Sequence, residues 1–170
     1  DDRYEIRWDK SPNPLSGTES GEEFSWLLVG THSPALQPLV DAITARGQRH
    51  RFVDLPTSDA DETALAEALR TAAADGPALR ILNVAALDSD AAPSTQSLLR
   101  IQHRILSGTR RLFKAATSAD LRAPIWVLTR GAQRVTDTDV VAPEQTALWG
   151  FGRAAALELP QVWGGLADVP

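Results

Sequence analysis

The residues that come nearest to a phosphate-binding turn are Gly30-Thr31-His32-Ser33-Pro34-Ala35, which follow an apolar run. In a GxGxxG turn, the glycines let the backbone approach a pyrophosphate and let the helix pack closely against the strand. His32 and Ala35 occupy the positions of the second and third glycines. Their side chains disfavour dinucleotide binding here. The segment is better interpreted as an ordinary strand-to-helix turn, with Ser33 as the N-cap and Pro34 at the first helical position.

Other nucleotide and acyl-transfer motifs are missing from the sequence. Gly150-Phe151-Gly152 is a second GxG, but it lies in a stretch predicted to be helical, so close packing explains its glycines better than phosphate binding does. Neither Lys10 nor Lys114 follows a glycine, which excludes a Walker loop. No GxSxG segment presents a serine as an α/β-hydrolase does.

The histidines and acidic residues show no pattern of a metal or catalytic site. His32, His50 and His103 are far apart and lack metal-ligand spacing, so we expect surface or helix-face positions for them. Asp88 and Asp90 follow a predicted strand and could line a crevice, although an Asp-rich loop is more often simply solvated. We therefore assign no catalytic, cofactor-binding or metal-ligating residue.

The composition excludes further kinds of chemistry. The 170 residues include no cysteine, which excludes disulfides, thiol nucleophiles and thiolate metal ligands. With 22 acidic and 17 basic side chains the net charge is −5, so nucleic acid and anionic membranes are not expected partners. Arg110-Arg111 with Lys114 is the nearest approach to a basic cluster, and we expect it to form a solvated helix face. Tyr4 is the only tyrosine, and Lys10 and Lys114 are the only lysines, so catalysis by a Tyr and Lys pair is not expected.

The sequence shows neither a signal peptide nor a membrane span. It opens with Asp1-Asp2-Arg3 and reaches Lys10 without an apolar segment, and no apolar run approaches the length of about 18 residues that a span needs. We therefore expect a soluble, cytoplasmic location.

Short apolar runs alternate with amphipathic stretches along the chain, which predicts alternating strands and helices. Residues 9–23, rich in Pro, Gly and polar side chains, are predicted to form a flexible loop. Strands are predicted at Tyr4–Trp8, Phe24–Val29, His50–Leu55, Leu79–Leu87, Pro124–Thr129 and near Leu166. Helices are predicted from Ser33 to Gly47, after Pro56 up to Gly76, from Ser94 or Thr95 to about Ala116, and from about Pro143 to Leu159.

Strands that alternate with helices pair in parallel through right-handed crossovers. The sequence therefore predicts an α/β three-layer sandwich of truncated Rossmann type. Its mainly parallel sheet should have about six or seven strands and helices on both faces. We expect residues 1–170 to form a single domain with one well-filled core.

Three blocks in the C-terminal third carry a family resemblance. They are PIWVLTRGA at Pro124–Ala132, LWGFGRAAALE at Leu148–Glu158 and WGGLADVP at Trp163–Pro170. In this order they resemble the ketoreductase domain of modular type I polyketide synthases, and YEIRW at Tyr4–Trp8 is similar to the first strand of that domain. From Lys10 to Ala123 the likeness is limited to the order of strands and helices.

The resemblance implies one half of such a ketoreductase, its N-terminal structural and non-catalytic subdomain. In this family the structural half binds no cofactor. A catalytic half of short-chain dehydrogenase type binds NADPH and reduces a β-ketoacyl chain, which the phosphopantetheine of an acyl carrier protein carries. The family's glycine-rich nucleotide turn, catalytic Ser and Tyr, and active-site Lys and Asn have no counterparts in this sequence, so no functional residue is carried over. The implied partners are the catalytic subdomain and neighbouring synthase domains.

The expected physical role is packing against the catalytic half. We expect the strand Tyr4–Trp8 and the helix around Trp149 to offer apolar surface to that partner. Two other interpretations stay open. One is an independent nucleotide-binding protein or enzyme that uses a crevice near Gly30, Asp88 and Arg130. The other is a scaffold remnant of an inactive ketoreductase.

Overall fold

The strands and helices alternate along the chain as the sequence predicts. A computed structural model of the protein describes residues 8–10, 23–74, 78–88 and 94–169. The strands within these residues are β1 Phe24–Val29, β2 Arg49–Val53, β3 Ala78–Asn83, β4 Ile125–Arg130 and β5 Trp163–Val169. The helices are α1 Gln37–Ala45, α2 Asp59–Ala74, α3 Thr95–Ser118 and α4 Pro143–Glu158, with a 3₁₀ turn at Pro34–Leu36 before α1.

The sheet has the order β2-β1-β3-β4-β5, and all neighbouring strands are parallel. The larger core lies between the sheet and α2, α3 and α4, and includes Leu27, Ile81, Val127, Leu69, Leu112 and Leu148. The smaller core lies between the other face and α1, and includes Leu28, Leu82, Val84, Leu36 and Ile43. These layers confirm the predicted Rossmann-like three-layer fold.

Some predicted element bounds differ from the structure. The described residues form five strands, fewer than the six or seven expected. Tyr4–Trp8 lies outside the described residues except for Trp8, which is not in a strand, and of residues 9–23 only 9, 10 and 23 are described. β3 ends at Asn83 and not at Leu87, because the Asn83 side chain accepts a hydrogen bond from the Ala85 N–H at 3.2 Å and turns the chain.

A reciprocal capping arrangement begins α2. The Asp61 N–H donates to Ser58 Oγ at 3.2 Å, while Asp61 Oδ2 accepts from the N–H groups of Ser58 at 2.9 Å and Thr57 at 3.0 Å. The Thr57 hydroxyl donates to the same oxygen at 2.8 Å. The hydroxyl and N–H of Thr57, followed by those of Ser58, lower the pKa of Asp61 from 3.8 to about 2. Ser58 and Asp61 therefore determine where α2 starts.

Charged side chains join α2 to α3. The largely buried Glu62 pairs with Lys114 Nζ at 2.7 Å and with Arg111 at 3.4 Å, and Arg111 also pairs with Asp59. A buried carboxylate is costly unless it is paired, so these contacts hold the two helices in one relative position. The expectation of a solvated helix face at Arg110, Arg111 and Lys114 is wrong for Arg111, whose side chain is largely buried in these ion pairs, whereas Arg110 and Lys114 are exposed.

The GxG segment of α4 contains one packed glycine and one open glycine. A Cβ at Gly152 would lie 2.5 Å from Leu166 Cδ1 and 2.7 Å from Trp163 Cη2, so α4 approaches β5 closely at this point. A Cβ at Gly150 would meet no atom within 4 Å. Close packing explains Gly152 as expected, but it does not explain Gly150.

This difference predicts opposite effects of one chemical change. Gly150→Ala should raise the free energy of unfolding by about 0.5–1 kcal/mol, because alanine loses less backbone entropy in a helix. Gly152→Ala should lower it relative to Gly150→Ala by about 1–3 kcal/mol, because the added methyl group overpacks the contact with β5. Urea unfolding of the two variants measures the difference, and equal changes would contradict the packing assigned to Gly152.

The cap of α2 predicts a stability change in acid. The pKa of Asp61 is lower in the folded chain than its ordinary value of 3.8, so its stabilisation is present above that value and is lost as pH falls towards about 2. The melting temperature of Asp61→Ala should lie below that of the wild type at pH 5–7, and the gap should narrow between about pH 4 and pH 2. Asp61→Asn is the matched control, because it keeps an acceptor oxygen and cannot titrate. A gap that stays constant down to pH 2 would refute the assignment.

Candidate functional site

The strand order reverses between β1 and β3, which is where an open parallel sheet of this order binds its ligands. Gly30, the first residue after β1, has φ +145°, and a Cβ there would lie 2.9 Å from the backbone nitrogen of Ala85. The Val84 N–H also donates to the Val29 carbonyl at 2.9 Å. The segments that follow β1 and β3 thus pack directly against each other. The backbone at Ala85 therefore leaves no room for a side chain at Gly30.

The turn after Gly30 also lacks the geometry of a phosphate site. Ser33 stands at the N-cap as predicted, but its hydroxyl makes no capping hydrogen bond and is buried without a partner among the described residues. The chain then enters the 3₁₀ turn Pro34–Leu36 before α1 begins. The predicted capping contact of Ser33 is therefore wrong, since the 3₁₀ turn replaces the first turn of an α-helix.

The polar side chain at the end of β3 faces the protein. Asn83 Nδ2 donates to Thr109 Oγ1 at 2.7 Å, and both residues are buried. Asn83 Oδ1 accepts from Ala85 as described above. Both ends of the Asn83 amide are thereby used to hold α3 and the turn after β3.

Two clefts lie at the carboxyl ends of the strands. The first, of about 660 Å³, lies between the end of β2 and α2, and its lining includes Thr31, Asp54, Asp61 and Arg104. The second, of about 440 Å³, lies at the ends of β4 and β5, and its lining includes Arg130, Asp139 and Asp168. Neither of these clefts is lined by Asp88, and neither is lined by Gly30. Of Gly30, Asp88 and Arg130, the structure brings only Arg130 into one of these two clefts.

Asp168 lines the second cleft, and its carboxylate is the centre of a hydrogen-bond network. Asp168 Oδ1 accepts from the Thr129 hydroxyl at 2.6 Å and from the Ala132 N–H at 3.0 Å, and Oδ2 accepts from the Gln133 N–H at 3.1 Å. The Trp149 indole N–H donates to Thr129 Oγ1 at 3.0 Å. The carboxylate thus fixes the loop after β4 to β5.

Sequence reasoning missed the Asp168 network. The available signal was one acidic residue in the otherwise apolar last strand, and β4 and β5 pair Thr129 with Asp168 in register. The register could not be known before the sheet was known, so the two side chains could not be placed together.

Asp139 also accepts several hydrogen bonds within the loop that follows β4. Its carboxylate accepts from the N–H groups of Val135 at 2.8 Å and Thr136 at 2.7 Å, and from the Thr136 hydroxyl at 2.7 Å. The hydroxyl and N–H of Thr136, followed by the N–H of Val135, lower the pKa of Asp139. Both carboxylates at this edge are therefore engaged by protein donors.

Other candidate sites are also absent from the described part of the chain. His32 and His50 both lie edge-on to Phe52, with ring centroids 4.8 and 6.3 Å away, and His103 is exposed on α3. The described residues contain no group of three or more His, Cys, Asp or Glu that could hold a metal ion. Among them no helix combines the length and the apolar character needed to cross a membrane.

Exposed apolar side chains lie on several elements. Trp8 is 42% exposed and lies edge-on to Trp149, with ring centroids 5.7 Å apart. Trp149 itself is half-buried, and the exposed apolar residue of α4 is Leu157 at 85%. On β4, Trp126 is 40% exposed. Of the two elements expected to offer apolar surface, α4 does so through Leu157 more than through Trp149, and of Tyr4–Trp8 only Trp8 lies within the described residues.

Comparison with known proteins assigns the fold to a family. Residues 13–169 match the family described as the Rossmann fold domain of the polyketide synthase extender module SpnB. The polyketide synthase GfsA of Streptomyces halstedii is 37% identical over 178 residues, which cover 99% of this chain and 2% of that protein. The pikromycin polyketide synthase component PikAII of Streptomyces venezuelae is 34% identical, covering 99% of this chain and 4% of that protein.

Solved ketoreductases share the architecture. An A1-type ketoreductase superimposes with a TM-score of 0.75 and 27% identity, covering 96% of this chain and 33% of that one. A C2-type ketoreductase from a modular polyketide synthase gives a TM-score of 0.69 and 33% identity, covering 89% of this chain and 33% of that one. The chain thus spans about a third of these ketoreductases and a few per cent of the synthases. It belongs to the Rossmann-fold domain family of modular polyketide synthases, as the N-terminal structural subdomain of a ketoreductase.

Proposed function

We propose that this chain binds no cofactor and acts by packing on the catalytic subdomain of the same ketoreductase and stabilising it. The catalytic subdomain would bind NADPH and reduce a β-ketoacyl chain carried on the phosphopantetheine of an acyl carrier protein. Residues 1–170 would act as one subdomain in the cytoplasm, beside the neighbouring synthase domains. Neither nucleic acid nor a membrane would be a partner.

The contact between Gly30 and Ala85 is the observation that carries this proposal. A dinucleotide needs backbone N–H groups that face an open crevice at the switch point of the sheet. Here a Cβ at Gly30 would already meet the Ala85 backbone at 2.9 Å. Opening this position would require the ends of β1 and β3 to separate, which would break hydrogen bonds and buried contacts. A packing role needs no such opening.

The polar groups at the strand ends support the same role. Asn83, Asp139 and Asp168 each accept hydrogen bonds from protein donors, and Asn83 also donates to Thr109. A catalytic acid or base needs hydrogen-bond access to substrate, whereas these side chains already bond to protein groups. These residues serve better as fixed structural contacts.

The alternatives have weaker support. An independent nucleotide-binding protein or enzyme would need Gly30, Asp88 and Arg130 to line one crevice, and neither of the two clefts described is lined by Asp88. A scaffold remnant of an inactive ketoreductase would have this same fold, and differs only in what the catalytic half can do.

Reconstitution tests the proposal. We expect this chain, added at about 100 times its dissociation constant, to raise the melting temperature of the separately produced catalytic portion by about 5–10 °C. It should also restore NADPH-dependent reduction of a β-ketoacyl thioester. Calorimetric titration of this chain alone with NADPH should show no binding.

The outcomes separate the three interpretations. Tight NADPH binding by this chain alone would favour the independent nucleotide-binding protein. Stabilisation of a complete ketoreductase that reduces no substrate would favour the remnant. The absence of any effect on the catalytic portion would refute the packing role.

A substitution at Asp168 separates a structural from a catalytic role. Asp168→Ala in the whole ketoreductase should lower its free energy of unfolding by about 1–3 kcal/mol, because the Ala132 and Gln133 N–H groups and the Thr129 hydroxyl lose their acceptor. The KM for NADPH and the kcat of the folded fraction should stay within about twofold, less than the effect of losing a catalytic acid or base. Asp137→Ala, on the exposed part of the same loop, is the control and should change stability by less than about 0.5 kcal/mol. A selective loss of kcat in Asp168→Ala would assign this carboxylate to the chemistry.

A further inference from the structure

The sheet face that carries α1 is only half covered by the described residues. α1 and the preceding 3₁₀ turn pack on Leu28 of β1 and on Leu82 and Val84 beyond it, with Phe52 of β2 at the side. On β4 and β5, only Leu128 and Val169 reach the margin of this smaller core. The opposite face of the same two strands is fully packed by α3 and α4.

The residues of the uncovered half share one face by register, and all of them except Arg130 are apolar. Trp126 pairs with Gly165, Leu128 with Ala167, and Arg130 with Val169. Paired residues of parallel neighbours point to the same side of a sheet, and side chains alternate along each strand. Trp126, Leu128, Ala167 and Val169 therefore form one apolar surface, called here the open face, with the exposed Arg130 at its end.

Two glycines let Trp126 lie flat on this surface. A Cβ at Gly165 would be 2.5 Å from Trp126 Cζ3, and one at Gly164 would be 2.7 Å from Trp126 Cδ1. Gly165 also has φ +147°, which disfavours any other residue there. The indole is thus held along β5 and yet is 40% exposed. A large aromatic ring fixed by its neighbours loses little entropy when a partner covers it, as in binding hot spots.

The dimensions of the open face fit one helix. Neighbouring strands lie about 4.8 Å apart, so β4 and β5 together present a strip about 10 Å wide, which is the diameter of an α-helix with its side chains. A second sheet would need a wider platform. The vacant strip lies beside α1, in the layer that α1 alone occupies among the described residues.

The position of β5 indicates where that helix comes from. β5 is the edge strand, and its last residue, Val169, lies on the open face. The chain spans only 33% of the ketoreductases to which it is similar, so their chains hold much polypeptide beyond the part matched here. A right-handed crossover to another parallel strand would lie on the face of α2, α3 and α4. A helix on the open face would therefore not connect β5 to a further parallel strand of this sheet.

We propose that an amphipathic helix, formed by the part of the ketoreductase chain that follows β5, packs its apolar side on the open face and completes the third layer. The proposal rests on the proposed function, because the helix belongs to the ketoreductase in which this chain acts as the structural half. Its contact with Trp126 would join the structural half to the polypeptide that leads into the catalytic half.

Oxidative footprinting with mass spectrometry tests the proposal on three forms of the wild-type protein. They are this 170-residue chain, the chain extended along its natural sequence by about 30 residues, enough for a connection and a helix of three to four turns, and the whole ketoreductase. Oxidation of Trp126 should fall at least about fivefold in both longer forms, as expected when an exposed ring becomes buried. Leu157, on the opposite side of the sheet, serves as the internal reference in the extended chain.

Each other outcome overturns the proposal in a distinct way. Protection of Trp126 only in the whole ketoreductase would assign the open face to the catalytic subdomain itself. Concentration-dependent protection in the 170-residue chain would assign it to a second copy. If Trp126 stays reactive in all three forms while this chain still stabilises the catalytic portion, the proposed function stands and the helix proposal fails.

A pair of substitutions gives a second measurement. Extension should raise the melting temperature of the wild-type chain by about 5 °C or more, and Trp126→Ser should remove at least half of that rise. Leu99→Ser is the matched control, because Leu99 is an exposed apolar residue of α3, which packs on the opposite face of the sheet, and it should retain the rise. An equal rise in the wild type and in Trp126→Ser would overturn the proposal even if the footprints agreed with it.

Discussion

The direct contact of Gly30 with the backbone at Ala85 sets the limits on what this Rossmann-like sheet can do. Parallel α/β sheets place their ligands at the switch point because the helices on either side of it leave on opposite faces and open a crevice. In this chain the two strand-end segments pack directly against each other there, with 2.9 Å between a Cβ built on Gly30 and the Ala85 nitrogen. Gly30 is required here for protein packing, although in sequence it looks like the first glycine of a nucleotide turn.

The polar residues at the ends of β3 and β5 also bond to protein groups. Asn83 turns the chain after β3 and holds α3 through Thr109, and Asp168 holds the loop after β4. Buried polar groups stabilise a fold when every donor and acceptor is paired, and they become reactive when one is left free. The side chains of Asn83 and Asp168 are consequently engaged within the protein, whereas Trp8, Trp126 and Leu157 are large apolar side chains that stay exposed.

Hydrophobic periodicity was sufficient to predict the order of strands and helices and the three layers, because burial on two faces leaves a period that is readable in sequence. The finer features depend on long-range packing. Gly150 and Gly152 look equivalent in the sequence, yet only Gly152 meets β5. The end of β3 depends on the Asn83 side chain, and the role of Asp168 depends on the register of β5 with β4. Closure of the switch point could be suspected from His32 and Ala35, but its cause, the approach of Ala85, lies outside the turn.

The two edges of the sheet are unlike, and this places the binding capacity on one side of the molecule. β2 carries the exposed cations Arg49 and Arg51, and charged side chains on an edge strand oppose pairing with another chain. β5 has no charged residue before Asp168, whose carboxylate is held inside the β4 loop. The uncovered half-face also lies on β4 and β5, next to this uncharged edge. Among the described residues, one flank of the sheet is thus charged and the other is apolar and partly uncovered, and this difference favours association through the second flank.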